Sequence, residues 1–178
     1  MSVLDGGISS VNAQTVLILE PKRIHWWRKM ELKPLHVDDL QNCAEIFVEV
    51  FNSSPWEEGW TVSSAMPRMK EIAGTPGFVG LKAIAEGRMV GFVMGYAESY
   101  DAGSDFYLKE MCVRPKMQKQ GIGKVLLDEL KEQLRNAGAR TLYLLTSREA
   151  LATRFYENNG FQTSDKMIVM GHFLKPMN

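Results

Sequence analysis

The stretch Phe106–Leu130, FYLKEMCVRPKMQKQGIGKVLLDEL, constrains the fold more than any other part of the chain. Phe106, Leu108, Glu110 and Cys112 alternate with Tyr107, Lys109, Met111 and Val113, and the aromatic and β-branched side chains suit a strand. The strand period places Glu110 on the face of Phe106, Leu108 and Cys112. Pro115 has no N–H for a ladder, so the strand ends near Arg114. A polar turn with two glycines follows, and then Val125, Leu126, Leu127, Leu130 and Leu134 recur at helical spacing. The unit is strand, glycine turn, helix. Its glycines let backbone approach a ligand, and the first helical turn presents free N–H groups and a positive dipole end at the same spot. That is a site for a phosphate or pyrophosphate.

Three glycine-turn families share this layout. A P-loop needs a glycine five residues before its Gly-Lys and a Ser or Thr after the Lys; Gln118 and Val125 stand at those places. The dinucleotide fingerprint needs a third glycine three residues after the second, and Leu126 stands there. The third pattern is Gln/Arg-x-x-Gly-x-Gly/Ala after a strand. Gln118, Gly121 and Gly123 fit it, led by Val113-Arg114-Pro115. This resembles the acetyl-CoA-binding motif of the GNAT superfamily of N-acetyltransferases. A second stretch, RFYENNGF at Arg154–Phe161, resembles the GNAT signature FYEKLGF, with Tyr156 and the Gly160-Phe161 pair in place.

At 178 residues the chain is long enough for one domain with a sizeable core. A formal net charge of zero argues against a nucleic-acid protein, which carries a basic excess. Cys43 and Cys112 both fall within apolar periodic segments and read as buried, reduced thiols of a cytoplasmic protein. No apolar run approaches the ~20 residues of a membrane helix.

Residues 1–29 read as an N-terminal extension, with glycine- and serine-rich coil, a short TVLILE run and an aromatic, basic knot at His25–Arg28. The alternative is that TVLIL adds to a sheet edge or to a dimer partner, so a homodimer stays open. The domain proper spans 30–178. Glu31–Leu35 is a first strand. Asp38, with Gln41 three residues on, caps a helix through about Phe51. A PWEEGW loop leads to a second helix from about Ser63 to Gly74. Phe78–Glu86 and Met89–Glu98 form an antiparallel hairpin across Gly87-Arg88. After the long helix come a strand at Thr141–Leu145, a short helix with Phe155 and Tyr156, and a last strand pair around Met167–Leu174. The order is α+β with one parallel step, similar to the GNAT fold: a central, mixed, mostly antiparallel sheet flanked by helices.

The resemblance implies an acetyl-CoA-dependent N-acetyltransferase with no metal. By it, Tyr156 protonates the departing thiolate, and Glu110 is the base that deprotonates the acceptor amine, with Glu98, Tyr100 and Asp105 as competitors. A structural glutamate and a core tyrosine are the bland alternatives. Backbone groups of Gln118, Lys119, Gln120, Gly121, Ile122, Gly123 and Lys124 would hold the pyrophosphate. Met111, Cys112 and Val113 would pair with the pantetheine arm, while Arg114, Lys116 and Lys119 add positive field. The family often has an asparagine seven residues before the tyrosine. Here that position is Glu149, which makes Asn158 the better side-chain candidate for the cofactor.

On the acceptor side, Trp56 and Trp60 would form walls and Glu57, Glu58 and Glu98 would attract a cationic amine. Tryptophans plugging the core and glutamates in solvent are the alternative. The partner implied is a small-molecule amine, aminoglycoside- or polyamine-like. A peptide or protein amine, or a non-catalytic acyl-CoA-binding module, are the competing readings.

Overall fold

The computed structural model describes residues 30–148, 150–172 and 174. The expectations for the N-terminal extension, for Glu149 and for the end of the last strand pair therefore lie outside the described residues.

The elements run β1 (Met30–Pro34), α1 (Leu40–Phe51), α2 (Val62–Ala73), β2 (Phe78–Ala85), β3 (Arg88–Tyr100), β4 (Gly103–Val113), α3 (Ile122–Asn136), β5 (Ala139–Tyr143) and α4 (Leu151–Asn158). The sheet order follows the chain, β1 to β5; the first four strands are antiparallel and β5 lies parallel to β4. This is the expected α+β architecture, with the parallel step made across α3. The β2–β3 hairpin turns at Glu86-Gly87, both with positive φ (52° and 73°), the geometry that suits the right-handed twist of paired strands.

The helix starts differ from expectation in one place. Asp39, not Asp38, closes the first turn: its Oδ2 accepts from the His36 N–H at 2.9 Å, while both its oxygens accept from Lys82 Nζ at 2.6 Å. Gln41 instead donates to Glu45 along the helix. The α2 start is capped reciprocally, Ser64 N–H to Thr61 Oγ1 and Thr61 N–H to Ser64 Oγ.

Two apolar layers sandwich the sheet. On one face α1 and α2 bury Cys43, Ile46, Phe47 and Met69 against Phe92, Met94 and Cys112. On the other, α3 buries Leu126, Leu127 and Leu130 against Val93, Phe106 and Leu108. The split exposes a correction. Glu110 and Cys112 do not share a face with Phe106 and Leu108. Met94 pairs with Glu110 and Gly95 with Leu108, so Lys109 is an unopposed extra residue, a β-bulge. One extra residue inverts the alternation, because side chains repeat every two positions. Beyond the bulge, the even positions point to the α1–α2 layer.

The strand pair expected near Met167–Leu174 does not form: among the described residues of this stretch none is in a strand, and Met167, Ile168, Val169, Met170 and Leu174 are exposed. The run is apolar and β-branched, but β-propensity reflects packing against neighbours, and here it has none.

Candidate active site

β5 pairs with β4 only from Ser104 to Tyr107. From Leu108 onward β4 has β3 on one side and, among the described residues, no strand on the other. The bulge at Lys109 sits where this pairing ends. An open strand edge offers main-chain donors and acceptors to an extended ligand, and Met111, Cys112 and Val113 lie on it. The Val113 carbonyl is already taken by the Gln118 side-chain amide at 3.0 Å, which braces the turn beyond.

The glycine turn is built as a donor nest. Gly121, at φ 90°, caps α3 and its carbonyl accepts from the Val125 N–H. The Gln118 N–H is spent on the Pro115 carbonyl, but among the described residues those of Lys119, Gln120 and Gly121 have no main-chain acceptor. Those of Ile122, Gly123 and Lys124 belong to the helix's first turn, where no carbonyl precedes them. Six consecutive N–H groups, next to the positive helix end, are thus without a main-chain acceptor among the described residues. At Gly123 a Cβ would sit 3.1 Å from Met111 Cε and 3.4 Å from the Phe155 ring, so α3 enters tightly against β4 and α4. The charged side chains contribute unequally. Arg114 is committed to the Met89 carbonyl and Glu49, and Lys124 to Asp128; Lys116 and Lys119 are exposed.

Glu110 is the one buried charged residue among those described, 5 % exposed. Burial pushes its carboxyl above the usual carboxylate range, and Arg68 pulls it back. Arg68 Nε donates to Oε1 at 2.6 Å, and Nη2 forms an ion pair with the same oxygen at 2.5 Å. Tyr156, from α4, is in the same neighbourhood. Burial first, and then Cys112 and the Glu110 charge, push its phenol above the ordinary tyrosine value. It therefore keeps its proton at neutral pH. The Cys112 thiol is held well above its usual range by burial and then by Glu110, and Cys43 is pushed up to about 12, chiefly by burial. Both thiols stay protonated, so neither is an activated nucleophile.

Glu110 and Cys112 thus lie on β4 beyond the end of its pairing with β5, and the Tyr156 phenol, packed between Phe155 and Phe161, feels both of them electrostatically. Asn158 is exposed at the end of α4. Trp60 packs edge-on against Phe47 at 5.1 Å, is clasped by Asn52 through its N–H and carbonyl, and donates its indole N–H to Glu58 at 2.5 Å. Trp56 leans on Phe51 and lines a cleft with Pro55, Ser147 and Ala150. Glu57 is exposed, at φ 49°; Glu58 is also exposed, yet its charge reaches Glu110 and raises its pKa. Glu98 accepts from the Tyr143 hydroxyl at 2.5 Å, and Tyr143 stacks on Tyr107. Sequence reasoning missed Arg68, Tyr107 and Tyr143. The signal for Arg68 was its place on the flank of the stripe Ala65, Met69 and Ile72, the buried side of α2.

Residues 78–163 match the family model described as Acetyltransferase (GNAT) domain. The match spans just under half of the 178 residues and makes the chain similar to GNAT acetyltransferase domains. A curated relative, the [ribosomal protein bS18]-alanine N-acetyltransferase of Salmonella typhimurium, is 30 % identical over 110 residues; the match covers 60 % of this chain and 64 % of that protein's length. Among solved structures, a possible acetyltransferase from Clostridium difficile 630 superposes with a TM-score of 0.71 at 14 % identity, covering 82 % of this chain and 99 % of that one. The aminoglycoside N-acetyltransferase AAC(6')-Iy in complex with CoA gives 0.63 at 17 % identity, covering 80 % and 94 %. An aminoglycoside acetyltransferase from an uncultured soil metagenomic sample, in complex with sisomicin, gives 0.65 at 17 %, covering 83 % and 98 %. These structural likenesses establish the fold.

Proposed function

We propose that the chain is an acetyl-CoA-dependent N-acetyltransferase that passes the acetyl group directly to a primary amine of a small molecule. The observation that carries this reading is the buried Glu110 carboxylate in the neighbourhood of the Tyr156 phenol, where β4 loses its β5 neighbour. The open β4 edge at Met111–Val113 takes the pantetheine arm, and the N–H groups of Lys119–Lys124 take the pyrophosphate. Gln118 acts through its brace to Val113, and Asn158 is the candidate side chain from α4.

From the neutral amine, nitrogen attacks the thioester carbonyl carbon and its proton goes to Glu110. A backbone N–H near Val113 steadies the oxyanion. As the C–S bond breaks, Tyr156 hands its proton to sulfur. Glu110 then returns its proton to solvent and Tyr156 regains one. Protonated Cys112 argues against an acyl-cysteine route.

Glu57, Glu58 and Glu98, with Trp56 and Trp60, make the acceptor side suit a cationic amine, and the aminoglycoside-named structures support that class. A peptide α-amine is the second reading, favoured by the curated relative's named substrate. Buried reduced thiols fit a cytoplasmic location. The test is thiol release from acetyl-CoA with sisomicin, kanamycin, spermidine and alanine-start peptides. Turnover on the first three supports the small-amine reading, and turnover only on peptides assigns a peptide amine. Tight acetyl-CoA binding with no turnover on any would leave a binding module.

A further inference from the structure

A carboxylate as buried as Glu110 favours its neutral form, which cannot take a proton. Something must oppose burial if it is to act as a base. The titratable and charged groups around it are Arg68 from α2, Lys109 and Cys112 from its own strand, Glu58 from the α1–α2 loop, Tyr156 from α4 and Cys43 from α1. Glu58 works in the wrong direction, and the thiols and phenol are neutral. Lys109 acts by charge alone, its ammonium lying over the Tyr107 ring at 4.3 Å.

Among the described residues, only Arg68 hydrogen-bonds or ion-pairs with the carboxylate. Its Nε donates to Oε1 and its Nη2 ion-pairs with the same oxygen, and among the described residues no hydrogen bond reaches Oε2. The guanidinium also lies over the Phe47 ring, 5.9 Å from its centroid. Its side chain stays 42 % exposed, on a cleft lined by Glu71, Ile72, Thr75, Tyr96 and Lys109. The fork is therefore held between a core aromatic ring and the base. We propose that Arg68 is the positioning residue of the site: it holds Glu110 ionised through Oε1 and leaves Oε2 free to take the proton. The role needs a planar fork, because a single ammonium donor fixes the carboxylate less tightly. The proposal rests on the reading of Glu110 as base, and the test separates the two.

The test is the titration of Glu110 by carboxyl carbon NMR in glutamate-labelled full-length protein, with the resonance assigned by its loss in Glu110→Gln. Wild type is compared with Arg68→Ala, Arg68→Lys and Lys109→Ala. In Arg68→Ala the midpoint moves up by at least about one pH unit, the size of one charge-assisted hydrogen bond. In Arg68→Lys it lies between, and in Lys109→Ala it moves less than in Arg68→Ala. An unmoved or lowered midpoint in Arg68→Ala overturns the proposal, as does an equal shift in Lys109→Ala. If Arg68→Ala does not fold, Arg68→Lys decides: a midpoint equal to wild type overturns the role of the fork. The acid limb of kcat/KM, measured with whichever panel amine turns over, should move with the NMR midpoint. A shifted midpoint with full activity in Glu110→Gln would keep the Arg68 contact and remove the base reading. An unmoved midpoint with an inactive Glu110→Gln would do the reverse.

Discussion

Replacing Gly95 by alanine tests the geometry that aims Glu110. A Cβ at Gly95 would lie 2.1 Å from the Tyr107 carbonyl oxygen and 2.8 Å from Phe106 Cε1, where ordinary contact begins at 3.4 Å. The first clash is with backbone, so no rotamer relieves it. β3 and β4 must part at the bulge, where Gly95 faces Leu108 and Met94 faces Glu110. Two ladder hydrogen bonds at about 0.5–1.5 kcal/mol each, plus about 1–3 kcal/mol of overpacking around Phe106, give a loss of roughly 2–6 kcal/mol. Against a typical total of about 5–15 kcal/mol that is large, and it lowers Tm by on the order of 10 °C. Thermal melting followed by circular dichroism measures it. The control is Gly87→Ala in the hairpin turn, with open space around the position and φ +73°; it carries only the left-handed penalty of about 1–2 kcal/mol. If Gly95→Ala melts no lower than Gly87→Ala, the strands are not as close as described and the reasoning fails.

Further outcomes follow from the same structure. Tyr156→Phe lowers kcat by about 10²–10⁴-fold while acetyl-CoA affinity by calorimetry stays within about twofold; unchanged kcat removes its acid role. Glu110→Gln abolishes most turnover and also changes the pH dependence of stability. The folded pKa of Glu110 is raised, so its contribution is fully present below the ordinary carboxylate value and is lost as pH rises through the folded value. The glutamine protein should therefore gain in Tm over wild type as pH rises above the ordinary carboxylate value; a constant or shrinking gap contradicts the raised pKa. Leu127→Ala, fully buried between α3 and the sheet, costs about 2–5 kcal/mol in urea unfolding; a cost below about 1 kcal/mol would mean the layer is loosely packed.

Much of the fold was legible because its signals are local. The hairpin expected across Gly87-Arg88 forms one residue earlier, at Glu86-Gly87, Pro115 ends β4, and the leucines of α3 repeat at helical spacing and are buried where that spacing puts them. The strand expected at Met167–Leu174 failed for the opposite reason. An apolar, β-branched run is only a willingness to pair, and here its described residues are exposed and pack against no neighbour. Asp38 and Asp39 are adjacent capping residues, and the choice between them was made by Lys82 from β2, a partner 43 residues away.

The site shows the same division. The glycine spacing by itself determined the donor nest, because Gly121, Gly123 and the helix start act through their own backbone. The alternation rule could not find the face of Glu110. It counts residues within one strand, and the inversion at Lys109 arises from pairing with β3, where Gly95 lets the two backbones close together. Nor could it find Arg68, 42 residues away on another helix, whose fork reaches the buried carboxylate only once α2 has packed on the sheet. Backbone chemistry was written along the chain. The ionisation and aim of the side chain inside it were decided by burial and by a distant partner, and those are properties of the packed molecule alone.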